Sequence, residues 1–176
     1  DHAPARGEVS TRQVDVLIVG AGPAGLAAAI ELGKLGVETL IVDDKDRLGG
    51  KLVLQTHKFF GSVKDTHAGT RGFEIAKLLQ EELAPHESVE VWLDTVAVAV
   101  FSDEIVGVVK DHIYHKIKPK KLLVATGARE KMLSFPGNTL PGVYGAGAFQ
   151  TLVNRDLVKS SQKVLIVGGG NVGLIA

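Results

Sequence analysis

The pattern Gly-x-Gly-x-x-Gly occurs twice in these 176 residues, and each time it follows directly on a run of apolar β-formers. The first copy is Gly20, Gly22 and Gly25 after residues 14–19; the second is Gly168, Gly170 and Gly173 after residues 163–167. A strand that turns tightly into a helix, and a backbone that lets a bulky anion come close, both call for glycine at this spacing. The helix that follows adds free N–H groups and the positive end of its dipole, so each turn is suited to a diphosphate. Two such turns imply two dinucleotide sites.

The surroundings of the first copy fit that reading. Val14, Val16, Leu17, Ile18 and Val19 form a near-continuous apolar run, the pattern of a parallel strand buried on both faces. Pro23 and Ala24 open a helix on which Leu26, Ala29, Ile30 and Gly33 share a face until Gly36 ends it. A second strand over 38–42 completes a βαβ unit. Asp43 then stands 18 residues after Gly25 (43 − 25), close to the spacing at which a carboxylate accepts ribose hydroxyls. Its neighbour Asp44 competes for the role, and a solvated turn carboxylate is the plainer reading of either.

Further along, 72–83 predicts an amphipathic helix stopped by Pro85. Short β-rich pieces at 89–93, 96–101, 105–109 and 113–117, with brief polar joints, predict an antiparallel meander, and 122–125 returns to the buried-strand pattern. Proline and glycine punctuate 118–142. The expected organisation is a tail over 1–13, a nucleotide-binding domain over 14–135, a linker over 136–142, and the opening of a second such domain over 143–176, with a helix near 145–158 and a strand at 163–167. The fold class is α/β.

Composition removes several alternatives. Twenty basic residues balance twenty acidic ones, without the basic blocks and interleaved aromatics of nucleic-acid binders. The longest uncharged apolar stretch, 16–30, contains three glycines and a proline and is too short to span a bilayer; Asp15 before it argues against a signal-peptide core. There is no cysteine, which excludes disulfides and thiol chemistry within the sequence and is compatible with a reducing, cytoplasmic setting. His67, Arg71, His112 and His115 lack ligand spacing, so no metal site is expected. The segment 55–61 combines His57, Lys58, Phe59 and Phe60. It reads equally as a source of positive charge beside a redox cofactor or as a surface loop over a buried Phe pair.

Asp43 is followed by Leu48-Gly49-Gly50-Lys51-Leu52, by Leu123-Val124-Ala125-Thr126-Gly127-Ala128, and by Phe135-Pro136-Gly137 with Leu140-Pro141-Gly142-Val143. Over 14–176 this combination resembles the pyridine-nucleotide-disulfide oxidoreductase superfamily, flavoproteins with two dinucleotide-binding domains. It looks most like the FAD subunits of opine, sarcosine and proline dehydrogenases and of hydrogen cyanide synthase. The resemblance implies a FAD-type Rossmann domain and the N-terminal part of a longer flavoprotein. Gly20, Ala21, Gly22, Pro23, Ala24, Gly25 and Asp43 or Asp44 would hold the ADP half of FAD. Gly49 and Gly50 would lie along the pyrophosphate or ribityl chain, and Lys51, Thr56 and His57 would pass toward the flavin ring. Thr95 and Val96 would run beside the adenine, and Ala125, Thr126 and Gly127 would mark a return strand. Gly168, Gly170, Asn171 and Gly173 would receive NAD(P) or another adenine nucleotide.

The superfamily's disulfide reductases carry a redox cysteine pair shortly after the Gly-Gly or ahead of the second nucleotide motif. This sequence has Lys51-Leu52-Val53-Leu54 and Gly145-Ala146-Gly147-Ala148 there, which excludes dithiol chemistry within these residues. The implied activity is FAD-dependent oxidoreduction, moving hydride or electrons between NAD(P)H or a small amine or amino-acid substrate and FAD, and onward to an acceptor or partner subunit. The alternatives are a non-catalytic electron-transfer subunit of a hetero-oligomer and a nucleotide-binding module without flavin.

Overall fold

The computed structural model describes residues 9–58 and 60–176, so most of the expected tail over 1–13, and Phe59, lie outside the described residues. Two compact units divide the described residues: 9–50 with 78–126, and 51–58 and 60–77 with 127–176.

The first unit holds one six-stranded sheet in the order β3-β2-β1-β6-β5-β4. Strands β1 (Thr11–Val19), β2 (Thr39–Val42) and β3 (Val89–Trp92) run parallel to one another and to β6 (Ile113–Val124). Strand β5 (Val106–Lys110) pairs antiparallel with the first part of β6, and β4 (Thr95–Val100) pairs antiparallel with β5 at the edge. Helix α1 (Pro23–Lys34) connects β1 to β2. The architecture is the expected α/β one, with a mostly parallel sheet and an antiparallel extension.

Two apolar layers sandwich the parallel strands. On one face Leu26, Ala29 and Ile30 of α1, with Leu83 of the later helix, pack on Ile18 and Ile41. On the other, Val106, Val108 and Ile117 pack on Leu17, Leu40 and Val42, so the antiparallel strands curl back over the sheet. Strand residues buried on both faces explain the unbroken apolar runs.

In the first unit, three sequence expectations change at element level. Residues 11–13, assigned to the tail, extend β1, because Thr11, Arg12 and Gln13 find Lys116, Ile117 and Lys118 of β6 as parallel partners. The piece at 89–93 is no meander strand; it closes the parallel edge beside β2. The pieces at 113–117 and 122–125 merge into β6, one continuous strand that carries Pro119, with β5 along one side at 113–117 and β1 along the other from 116 to 124. The joint between β5 and β6 is a two-residue turn in which Asp111 and His112 both have positive φ (51° and 63°), the twist that suits a hairpin.

The second unit is mainly loop and short helix. It contains a 3₁₀ segment ending at Leu54, α2 (Val63–Thr66) and the first half of α3 (Gly72–Leu83), which keeps the predicted bounds. It also contains α4 (Ala146–Asn154) and α5 (Asn171–Ile175). The strand expected at 163–167 does not form. Leu165 is 89% and Val167 85% exposed, and a strand with no neighbouring strand has nothing to satisfy its N–H and C=O groups. Helix α4 is shorter than the 145–158 expected, ending at Asn154. Among the described residues no helix is long and apolar enough to cross a membrane.

Candidate functional site

The turn from β1 into α1 is built by backbone proximity. Gly20 has φ 110°, a conformation side chains rarely adopt, and a Cβ there would lie 2.4 Å from the Ala125 carbonyl oxygen. Gly25 is pressed against the same turn: a Cβ on it would stand 1.9 Å from the Gly20 carbonyl oxygen. Between them Gly22 caps the helix at φ −74° and ψ −176°, with no side-chain cap and open space around its Cβ position. No acidic residue occupies the first turn of α1. An uncapped, uncharged helix start behind an open glycine fits a diphosphate.

Four other segments converge on this turn. The Asp43 carboxylate, only 9% exposed, accepts from the Ala21 N–H at 2.6 Å and from the Lys45 N–H at 2.9 Å. The Gly49 N–H donates to the Ala21 carbonyl at 2.8 Å, and Gly50 sits so close that a Cβ on it would approach the Gly22 Cα to 2.8 Å. The Thr95 N–H donates to the Asp43 carbonyl at 2.8 Å, and the Ala125 N–H to Val19 at 2.8 Å, which brings Thr126 beside Gly20. The candidates Gly20–Gly25, Asp43, Gly49, Gly50, Thr95, Ala125 and Thr126 therefore form one cluster at the carboxyl end of the parallel strands. Ligands bind at that end in open α/β sheets.

The two remaining candidates of this unit, Asp44 and Val96, lie outside the cluster. Asp44 is exposed and pairs with Lys45. Thr95 is buried, its hydroxyl donating to Leu93, whereas Val96 faces solvent on edge strand β4.

In the second unit, the Lys51 ammonium donates to the carbonyl of Ala128, next to Gly127, and Thr56 is exposed. The His57 ring stacks on Phe60 with centroids 4.7 Å apart. The second glycine turn repeats the first closely: Gly168 has φ 111°, Gly170 caps α5 at φ −75° and ψ 171°, and a Cβ on Gly173 would meet the Gly168 carbonyl oxygen at 2.5 Å. Asn171 is the first residue of that helix.

Charged groups elsewhere serve the scaffold. The Arg12 guanidinium binds the Glu90 carboxylate and lies 5.4 Å from the Trp92 ring centroid, tying β1 to β3. That hydrogen bond holds the Glu90 carboxyl below its ordinary value and raises Arg12 above its own. Among the described residues no group of three or more His, Cys, Asp or Glu could hold a metal ion.

Some of the hydrogen-bond pairings left no mark in the sequence. The Ala21 amide serves as partner to Asp43, Ala128 receives Lys51, and Glu130 accepts from the Gly147 N–H at 3.1 Å. The one signal for Glu130 is negative: the run Gly145-Ala146-Gly147-Ala148 offers its helix no side-chain cap.

Residues 14–176 match the family described as pyridine nucleotide-disulphide oxidoreductase. The chain is 34% identical over 156 residues to hydrogen cyanide synthase subunit HcnB of Pseudomonas protegens, covering 88% of this chain and 33% of that protein. It is 33% identical over 162 residues to sarcosine oxidase subunit alpha of Rhizobium meliloti, covering 84% and 16%. Among solved structures it is similar to L-proline dehydrogenase from P. horikoshii, with a TM-score of 0.72 and 28% identity over 85% of this chain and 30% of that one. The chain thus spans a third or less of each of these relatives. Fold, glycine turns and family match agree, and the chain belongs to the pyridine nucleotide-disulphide oxidoreductase family.

Proposed function

We propose that this chain is the FAD-binding part of an oxidoreductase that moves hydride or electrons between NAD(P)H, or a small amine or amino-acid substrate, and FAD, and passes them to a further acceptor. The observation that carries this reading is the convergence on one open turn of Asp43, held by the Ala21 and Lys45 amides, with Gly49 hydrogen-bonded to the same Ala21. Gly22 and the start of α1 would take the diphosphate. Asp43, its two oxygens already oriented, would accept the ribose hydroxyls with its remaining lone pairs, with Asp44 next to it on the solvent side. Bound there, FAD supplies the hydride chemistry, while the protein supplies orientation and electrostatics.

The repeated geometry at Gly168, Gly170 and Gly173 supports a second adenine nucleotide, NAD(P), on the domain that opens after the 136–142 linker. Hydrogen cyanide synthase subunit HcnB and sarcosine oxidase subunit alpha are subunits, which favours a partner subunit as donor or acceptor. It also favours a second reading: a non-catalytic subunit that binds FAD or nucleotide and relays electrons from a substrate oxidised on its partner.

Anaerobic addition of NAD(P)H to the flavin-loaded protein separates the two. Rapid loss of the oxidised flavin absorbance is the expected outcome of the first reading. An inert flavin, reduced only when the partner and its substrate are added, supports the second. A preparation that takes up no FAD overturns both.

A further inference from the structure

Three stretches of the second unit, far apart in sequence, are joined by a closed circuit of side-chain-to-backbone hydrogen bonds. Lys51 donates its ammonium to the carbonyl of Ala128. Two residues on, the Glu130 carboxylate accepts from the Gly147 N–H at the start of α4. At the other end of that helix the Asn154 amide donates to the carbonyl of Leu54 at 2.7 Å, returning the circuit to the 3₁₀ segment in which it began. The bonds link residues 77, 17 and 100 positions apart, so local chain geometry imposes none of them.

The middle link is shaped from both sides. Helix α4 starts at Gly145 with no side-chain cap and no acidic residue in its first turn, so its leading N–H groups need an acceptor from elsewhere. Glu130 brings that acceptor. A Cβ on Gly145 would lie 2.2 Å from a Glu130 carboxylate oxygen and one on Gly147 3.2 Å from it, so the small residues at this helix start make the room the carboxylate occupies.

We propose that Lys51, Glu130 and Asn154 are positioning residues forming a clasp, which fixes residues 51–54 and 127–130 to α4 and thereby sets the course of the two candidate cofactor-lining stretches they continue. Residue 51 follows Gly49 and Gly50, and residue 127 follows Ala125 and Thr126, so the clasp grips both stretches just past the glycine turn. None of the three is a catalytic residue. The effect on cofactor rests on the FAD reading above; the coupling between the three stretches does not.

Gly145→Ala gives a test that capping alone does not pass. The added methyl expels the Glu130 carboxylate, so Gly145→Ala and Glu130→Ala remove the same link by different routes. Each is expected to speed amide exchange of residues 51–54, across the circuit, about fivefold, and to raise the FAD dissociation constant by a similar factor, as expected for one net hydrogen bond. The double variant is expected to be no worse than either single one, and Glu130→Gln, which keeps an acceptor oxygen, to recover part of the loss. Additive effects in the double variant, or unchanged exchange at 51–54 while only residues 146–149 loosen, would overturn the clasp. If the parent protein takes up no FAD, the FAD reading fails, and the exchange measurement still decides the clasp.

Discussion

At Gly25 the decisive quantity is the room for one methyl group. Its Cβ position overlaps a backbone carbonyl at 1.9 Å, and backbone, unlike a long side chain, has no rotamer in which to retreat. Gly25→Ala therefore forces the β1–α1 turn apart, and thermal unfolding should show a loss of about 3 kcal/mol or more. Gly22→Ala is the contrasting change. The backbone there is ordinary and the space empty, so the loss should stay near 1 kcal/mol, the size of a weakened cap. Equal destabilisation by the two would contradict the turn geometry. The glycines and Asp43 were legible in the sequence because close approach restricts which residue can stand at a position. The hydrogen-bond partners were not, because an amide such as Ala21 or a lone Glu130 has no signature outside the fold that presents it.

Between elements, the Arg12–Glu90 pair links the first strand to the parallel edge strand β3. Both side chains are well exposed, so the pair is worth only about 0.5 kcal/mol. Its pH dependence has a definite sign. The hydrogen bond from Arg12 lowers the Glu90 pKa in the folded protein below 4.5, so its stabilisation is fully present at neutral pH and is lost as pH falls through that lowered value. Stability of Glu90→Gln should lie slightly below the parent near pH 7 and merge with it well below pH 4.5; a gap that widens on acidification would contradict the assignment. Elements whose cause is local were readable, and α3 keeps its predicted bounds because its apolar stripe has helical spacing. The register of β3 against β2, the continuity of β6 through Pro119, and the failure of 163–167 to become a strand depend on which strands lie alongside, and partners distant in sequence decide that. Periodicity carries no information about those.

For the molecule as a whole, the glycine turn, the acid at the end of β2 and the Gly49–Gly50 stretch form one arrangement around an open helix start, the place proposed to hold FAD. The second unit repeats the turn at Gly168 without a sheet to back it, which makes the first unit the place to look for binding. The most direct measurement is a titration of the purified, flavin-stripped protein with FAD, beside Asp43→Asn. In the variant an amide N–H replaces an oxygen that faces backbone N–H groups, and an affinity loss of about tenfold or more is expected from that mismatch together with the weakened ribose contact. One FAD bound per chain in the parent, weakened in the variant, is the predicted result; no uptake by the parent, or equal affinity in the two, would contradict it.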